Sequence, residues 1–196
     1  MVLKKGIRIA IVVIVVLVAL HYLTPVKVLS PSYWKGLVSR KPLDVTDKIA
    51  KACEWKKRSL ESITDITVHH TLGPPTQSPQ DIALFHINQR GWCGNAYHIM
   101  VYPDGSKYQV NDLTDISWHN GYNNAAAVGI VMVGNFDQGP PTQKQIDTTI
   151  TEINRLKREL PNAKYVVGHN EVTPTGCPGE FVDMNMIRRK TNGIAR

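Results

Sequence analysis

The stretch KYVVGHNEVTPTGCPGE, residues 164–180, joins a short apolar segment to a loop that carries a histidine and a cysteine. Its first four residues are aromatic or β-branched for the most part and predict a strand. The glycines and prolines that follow predict a shaped loop and disfavour a helix. His169 stands at the end of the strand, and Cys177 follows eight residues later. This pattern indicates that the two side chains hold one ligand at the edge of a sheet.

A second predicted strand also ends on a histidine. The segment ITDITVH, residues 63–69, alternates in polarity and is rich in β-branched residues. If the two strands are neighbours that end together, His69 and His169 lie at one rim of the sheet. Two imidazoles and one thiolate with a fourth position open are typical of a catalytic zinc site. The alternative is that both histidines are hydrogen-bonded core residues and that Cys177 is a buried thiol.

The other strand patterns define the fold class. Strands are predicted over residues 96–101, 107–110 and 128–133, with a turn at Pro103-Asp104-Gly105 between the first two. The apolar run VGIVMV, the third of these strands, is predicted to be central. Because strands and helices interleave and one hairpin is present, we expect an α/β fold with a mixed central sheet flanked by helices.

Three helices are predicted between these strands and after them. The first runs from Pro79, after a serine cap, to Arg90. The second starts after Thr142, which has the spacing of a capping box with Gln145, and the third starts near Asp183. The second helix carries one apolar face at helical spacing: Ile146, Ile150, Ile153, Leu156 and Leu160.

The net charge of +7 is distributed unevenly along the chain. Residues 1–61 hold 12 Lys and Arg against 4 Asp and Glu, whereas residues 62–196 hold 11 against 12. The predicted globular domain is therefore nearly neutral and lacks the basic surface that duplex binding needs. We expect no nucleic-acid partner.

The N-terminus has the pattern of a membrane anchor, assigned to residues 1–24. Three basic residues precede an apolar run from Ile9 to Leu20. With its flanks the run spans about 17 residues, or ~25 Å of helix, slightly less than a ~30 Å bilayer core. No small-x-small cleavage site follows, which favours a transmembrane signal anchor over a cleaved signal peptide and a secreted protein. A wholly apolar run next to a basic N-terminus also disfavours a buried core helix. The basic flank predicts that the rest of the chain lies outside the cytoplasm.

Residues 25–61 are predicted to be a tether that ends in a short helix. The segment 24–43 contains three prolines and shows no periodicity. Asp44 or Thr46 is a suitable cap for a helix that reaches about Leu60. The globular domain is predicted to occupy residues 62–196.

Five separated motifs, in this order, resemble those of type 2 N-acetylmuramoyl-L-alanine amidases, a family that includes peptidoglycan-recognition proteins and phage lysis amidases. The resemblance covers about residues 62–190 and is specific because the order is retained. The motifs are TVHHT (67–71), NAYH (95–98), SWHNGYN (117–123), VGI (128–130) and GH with CPG (168–169 and 177–179).

The resemblance implies roles for individual residues. His69, His169 and Cys177 match the family's zinc ligands, and Tyr97 matches its catalytic tyrosine. Thr175 matches a second catalytic position, which is Lys in many phage and bacterial members and Thr in active recognition proteins. This departure from Lys leaves the acid–base details open.

Other polar residues have a weaker basis. His119 matches a residue of the substrate groove near the metal, and Asn120 and Tyr122 of the same motif are predicted to bind substrate with it. Glu171 is either a general base or, as we favour, an acceptor that stabilises its loop. The remaining histidines of the predicted globular domain are expected to support the ligands or to be structural: His70, His86 and His98.

Cys53 and Cys93 remain unassigned by the metal site. Outside the cytoplasm they can form a disulfide, and the alternative is two unrelated reduced thiols. Both stay open, because connectivity cannot be read from sequence.

The resemblance implies a zinc amidase that cleaves peptidoglycan between N-acetylmuramic acid and L-alanine, in lysis or in wall remodelling. We expect a monomer with its catalytic domain on the wall side of the membrane. The alternative function is a non-catalytic module that binds peptidoglycan. In recognition proteins loss of the cysteine ligand accompanies loss of activity, so the presence of Cys177 favours the enzyme.

Overall fold

A computed structural model describes residues 41–196, so the predicted anchor and residues 25–40 of the predicted tether lie outside the described residues. Within the described range, no helix is both long enough and apolar enough to cross a bilayer. The strands are β1 (Leu43–Asp44), β2 (Asp65–His70), β3 (Ile99–Val101), β4 (Lys107–Gln109), β5 (Ala127–Met132) and β6 (Tyr165–Gly168). The α-helices are α1 (Pro79–Arg90), α2 (Gln143–Glu159) and α3 (Met184–Thr191).

The six strands form one mixed sheet in the order β1-β4-β3-β5-β2-β6. Only β3 and β4 pair antiparallel; the other neighbours are parallel. Every residue of the two inner strands β2 and β5 is buried. The predicted mixed α/β class is confirmed, and its central strand is β5, at the position where the apolar run VGIVMV predicted it.

Alternate side chains of the strands pack against different layers, as the two-residue period of a strand requires. On β5, Ile130 and Met132 belong to the larger core with α2 and α3, whereas Val131 belongs to the smaller core with Ile82 of α1. The predicted apolar face of α2 lies in the larger core, with Ile150 only partly buried. Helices therefore cover both faces of the sheet, as predicted.

The two long helices begin at the predicted caps, but the caps differ in kind. Ser78 and Asp81 form a reciprocal capping box at the start of α1. At α2 the Thr142 hydroxyl accepts a hydrogen bond from the backbone N–H of Gln145 at 3.1 Å. The Gln145 side chain does not complete a box; it donates instead to the carbonyls of Val101 and Val133, at 2.9 and 3.0 Å. Gln145 thus ties α2 to β3 and to the end of β5.

The helix predicted from Asp44 or Thr46 to about Leu60 is wrong. Residues 43–44 form strand β1 on β4, and the only helical turn in 41–62 is a 3-10 helix over Leu60–Ser62. Tertiary contacts override the helical pattern, since Arg58 donates to the carbonyls of Leu113, Asn124 and Ala127. The described part of the predicted tether is thus packed into the domain.

A disulfide joins Cys53 to Cys93, with a Cα–Cα distance of 4.6 Å. Of the two alternatives left open by the sequence, the structure has the cross-link. Beside it, the N–H of Ala52 donates to the carbonyl of Cys93 at 2.7 Å. The disulfide anchors the segment before β2 to the loop between α1 and β3.

Replacing Cys53 and Cys93 together with Ser should lower the free energy of unfolding. The bridge spans a sequence separation of 40, and closing a loop of that size in the unfolded chain is worth about 3–4 kcal/mol. Urea denaturation of wild type, with and without reductant, and of the variant would measure the loss. Reductant should leave the variant unchanged, and equal stability of wild type and variant would contradict the prediction.

Candidate metal centre

Two adjacent strands deliver the first two candidate ligands. Strands β2 and β6 run parallel, with Val68 opposite Gly168, so that His69 and His169 follow side by side. Their ring centroids lie 4.6 Å apart. The prediction that the two strands end together is confirmed by this register. His69 is 1% exposed, whereas His169 is partly exposed and opens a 3-10 helix over His169–Glu171.

The loop after this 3-10 helix returns Cys177 to the same place. The N–H of Asn170 donates to the carbonyl of Cys177 at 2.7 Å and closes the loop. The Sγ of Cys177 lies 3.6 Å from Nδ1 of His69 and accepts a hydrogen bond from the N–H of His70 at 3.4 Å. The ligand atoms of His69, His169 and Cys177 all lie within 4.8 Å of one another. Two nitrogens and one sulfur fit the donor set of a catalytic zinc site.

Burial prepares these side chains for a metal in opposite ways. The pKa of His69 is lowered well below its ordinary value by burial and then by the neighbouring histidines, and burial also lowers the pKa of His169. Both imidazoles are therefore neutral, as ligands must be. Burial raises the pKa of the Cys177 thiol to about 12, against the opposing hydrogen bond from His70. In the metal-free protein the thiol is protonated near neutral pH.

His119 contacts His69 at Nε2, whereas Cys177 lies near the other ring nitrogen, Nδ1. Its Nδ1 is 3.0 Å from Nε2 of His69, and its Nε2 is 3.1 Å from the carbonyl oxygen of Ala127. The side chain is 5% exposed, and burial lowers its pKa to about 3. Both ring nitrogens are therefore occupied within the protein, in a neutral imidazole.

Tyr97 also lies beside His69, with ring centroids 5.3 Å apart. Asn111 holds its backbone, because the Asn111 amide donates to the carbonyl of Tyr97 at 2.6 Å. Trp55 donates in turn to the side-chain oxygen of Asn111 at 3.0 Å. Burial, followed by the charge of Cys177, raises the pKa of the Tyr97 phenol. The phenol therefore keeps its proton, and the backbone that carries it is held in place next to the cluster.

The remaining predicted site residues differ in exposure. Tyr122 is fully exposed, on the 3-10 helix Gly121–Ala126. Asn120 is 1% exposed, and its amide donates to the hydroxyl of Thr67 at 3.0 Å. Thr175 is exposed, and its hydroxyl accepts from the N–H of Cys177 at 3.3 Å. Only Tyr122 and Thr175 of these three present a side chain to solvent.

Glu171 is committed to its own loop. Its carboxylate accepts from the N–H of Gly168 at 2.8 Å and forms an ion pair with Arg188 at 2.8 Å. Both contacts tie the carboxylate to its own loop and to α3, which supports the loop-stabilising interpretation over the general base.

His70, His86 and His98 each accept a backbone hydrogen bond at Nδ1. The donors are Phe136 for His70 at 3.2 Å, Ala96 for His86 at 3.1 Å and Gly129 for His98 at 3.1 Å. Burial lowers the pKa of all three, that of His86 to about 4. These contacts agree with the predicted structural roles.

Two features near the site were missed by sequence reasoning. Gly129 on β5 leaves space for the His119 ring, and a glycine inside an apolar strand is a signal of such close approach. Three tryptophans also meet beside the disulfide: Trp118, which is 46% exposed, has ring centroids 5.7 Å from Trp55 and 6.3 Å from Trp92. Nothing in their spacing along the chain indicated this cluster.

Comparison with known proteins identifies relatives over most of the chain. Residues 59–180 match the family model described as N-acetylmuramoyl-L-alanine amidase. The chain is 25% identical over 160 residues to peptidoglycan-recognition protein SC2 of Drosophila melanogaster, covering 74% of this chain and 86% of that protein. It is 31% identical over 112 residues to peptidoglycan recognition protein 3 of Mus musculus, covering 56% and 32%.

Solved structures share the fold. The Ph2119 endolysin from the Thermus scotoductus MAT2119 bacteriophage Ph2119 superposes with a TM-score of 0.68 at 29% identity, covering 79% of this chain and 100% of that one. The N-acetylmuramoyl-L-alanine amidase LysC from Clostridium intestinale URNW superposes with a TM-score of 0.69 at 28% identity, covering 80% and 100%.

Proposed function

Because the chain belongs to the N-acetylmuramoyl-L-alanine amidase family, we propose that it is a zinc-dependent amidase of peptidoglycan. The bond cleaved is the amide between N-acetylmuramic acid and L-alanine. The observation that carries the proposal is the convergence of His69, His169 and Cys177, whose ligand atoms lie within 4.8 Å of one another. The similarity to a phage endolysin and to a named amidase supports the same activity.

The chemistry divides between the metal and the side chains around it. A bound zinc ion would lower the pKa of a coordinated water to about 7 and polarise the substrate carbonyl. His69, His169 and Cys177 would hold that ion and leave the fourth position open. The N–H of His70 stabilises the negative charge on the Cys177 sulfur once the thiol has lost its proton.

Two further residues act on the substrate in this proposal. Tyr97 keeps its proton because burial raises the pKa of the phenol, so it can donate a hydrogen bond to the oxygen that becomes negative in the transition state. Thr175 is exposed near Cys177 and orients water or substrate. Tyr122, fully exposed on the adjoining loop, contacts the bound peptidoglycan.

Digestion of purified peptidoglycan by the full chain tests the activity. Mass spectrometry should find free stem peptides that begin with L-alanine, and glycan strands that have lost their peptides. A chelator should abolish this cleavage, and added zinc should restore it. Cleavage at another bond, or full activity in chelator, would reject the proposal. A chain that binds peptidoglycan without cleaving it would be a recognition module of the kind that the related proteins' names describe.

Zinc affinity should depend on pH with a defined sign. In the metal-free protein the Cys177 pKa is raised to about 12, whereas the pKa values of His69 and His169 are lowered. Near neutral pH only the thiol must lose a proton for zinc to bind, so affinity should rise about tenfold per pH unit from roughly pH 6 to 8. Competition with a chelator of known affinity at several pH values would measure this slope.

A matched variant controls for other sources of pH dependence. Cys177→Asp supplies a carboxylate ligand whose ordinary pKa is about 3.9, so its weaker zinc affinity should change little over the same range. Equal slopes for wild type and variant would show that the thiol is not the titrating ligand.

The proposal places the domain outside the cytoplasm, held by a signal anchor in residues 1–24. Its support is the apolar run with a basic flank and without a cleavage motif. Cells expressing the full chain should hold it in the membrane fraction at unchanged mass, and protease added from outside should digest the domain. A soluble product that lacks about 23 N-terminal residues would show that the segment is a cleaved signal.

A further inference from the structure

We infer that His119 is a positioning residue that fixes which nitrogen of His69 faces the metal. Gly129 has no side chain and so leaves room for the His119 ring. The inference rests on the proposed zinc site and assigns His119 a part in building that site. The predicted contact of His119 with substrate is not needed for this role.

The carbonyl of Ala127 determines which atom donates in the two hydrogen bonds of His119, one to Ala127 and one to His69. The oxygen of Ala127 can only accept, so Nε2 of His119, 3.1 Å away, carries a proton and donates. In a neutral imidazole the other nitrogen is then an acceptor. Nδ1 of His119 therefore accepts from Nε2 of His69 at 3.0 Å.

This polarity decides the state of His69. With its proton on Nε2, the ring presents the lone pair of Nδ1, the atom 3.6 Å from Sγ of Cys177. The opposite polarity would put a proton on Nδ1 and block the ligand atom. A metal-bound histidine commonly donates its second N–H to an oriented acceptor, which fixes both tautomer and ring orientation. Here a second histidine is that acceptor, and the backbone of β5 orients it.

Gly129 supplies the space that this arrangement requires. A Cβ built at Gly129 would lie 2.8 Å from both Cγ and Nδ1 of His119, closer than packed atoms approach. Gly129 belongs to a buried central strand, so its backbone cannot retreat without moving the sheet. Any larger residue would push the ring of His119 away from His69. The position of the His119 ring next to His69 therefore depends on glycine at residue 129.

Two substitutions at residue 119 separate the acceptor from the rest of the ring. In His119→Asn the amide oxygen takes roughly the place of Nδ1 and can accept from His69. In His119→Leu nothing accepts. Both variants lack the ring Nε2 that donates to Ala127, so a difference in zinc affinity between them does not come from the loss of that donor. Gly129→Ala keeps His119 but displaces its ring.

Zinc affinity of the full chain, measured by competition with a chelator, tests the inference without using activity. Loss of such a hydrogen-bond partner typically costs ~10–100-fold in metal affinity, and we expect losses in that range for His119→Leu and Gly129→Ala. His119→Asn should retain most of the wild-type affinity. Equal losses in His119→Asn and His119→Leu, or no loss in either, would overturn the inference.

NMR of the histidine ring nitrogens in the zinc-free wild type is a test that needs no variant and stands even if a variant fails to fold. His69 and His119 should both be protonated at Nε2 alone. A His69 protonated at Nδ1 would overturn the inference. If this tautomer is found and the wild type nevertheless binds no zinc, the proposed function fails while the hydrogen-bond assignment holds.

Discussion

Cys177→Ser should produce a protein that contains little zinc and does not cleave peptidoglycan. The change replaces a thiolate by a hydroxyl that stays protonated, so only the nitrogens of His69 and His169 remain as good ligands. Zinc affinity should fall by more than the ~10–100-fold that loss of an outer hydrogen-bond partner costs, because a site with three protein ligands loses one of them. Turnover should disappear with the metal.

The side chain is small and its loop is held by other contacts, so the fold should survive. The bond from Asn170 to the carbonyl of Cys177 involves backbone atoms alone, and Glu171 secures the loop start through Arg188. Zinc per chain, amidase turnover and binding to insoluble peptidoglycan should be measured together. We expect a variant that still binds peptidoglycan. It should contain little zinc and show no chelator-sensitive activity. A variant that keeps both zinc and turnover would exclude Cys177 as a ligand.

Tyr97→Phe should leave zinc content and substrate affinity nearly unchanged and lower kcat by ~10²–10³, the cost of removing one oxyanion donor in a well-studied enzyme. The structure explains why kcat should fall while zinc content and substrate affinity are retained. The ring of Tyr97 packs beside His69 and His86, and Phe retains that packing. Its backbone is held by Asn111, which the substitution does not touch. Only the hydroxyl is lost.

Tyr108→Phe provides the matched control, since Tyr108 lies on β4 and its ring packs against Tyr102, not against the candidate ligands. That variant should show wild-type kcat and KM. Steady-state kinetics on soluble muropeptides would separate the two parameters. Full turnover in Tyr97→Phe would show that the phenol is not the donor, and a rise in KM alone would make it a binding residue.

The fold was largely predictable because its elements carry local signals. The cap at Ser78 and the left-handed Gly91 bound α1 at the predicted residues, and the apolar face of α2 was visible at helical spacing. The segment before Leu60 was not predictable in this way. Its conformation depends on Arg58, which bonds to carbonyls 55 to 69 residues away, and on the disulfide between Cys53 and Cys93. Contacts of that range leave no periodic pattern in the sequence.

The positions of the candidate ligands were predictable from the sequence, but the contacts around them were not. Strand-terminal histidines indicated His69 and His169, and the parallel register of β2 and β6 brings them together. The contacts of His119 were not foreseen, because they depend on its ring packing against Gly129 and on a hydrogen bond to His69, 50 residues earlier in the chain. A motif gives the identity of such a residue but not the direction in which its nitrogens point.

The position of β2 in the sheet has a consequence for the order of assembly. β2 lies between β5 and β6, and both of these strands come later in the chain. His69 and Cys177 are separated by 108 residues, so no early fragment contains the complete ligand set. Pairings over such distances close late, because the entropy of a long loop must be overcome first. If the chain is the proposed zinc amidase, a chain still emerging from the ribosome therefore lacks the complete ligand set, and the site forms only when the centre of the sheet closes.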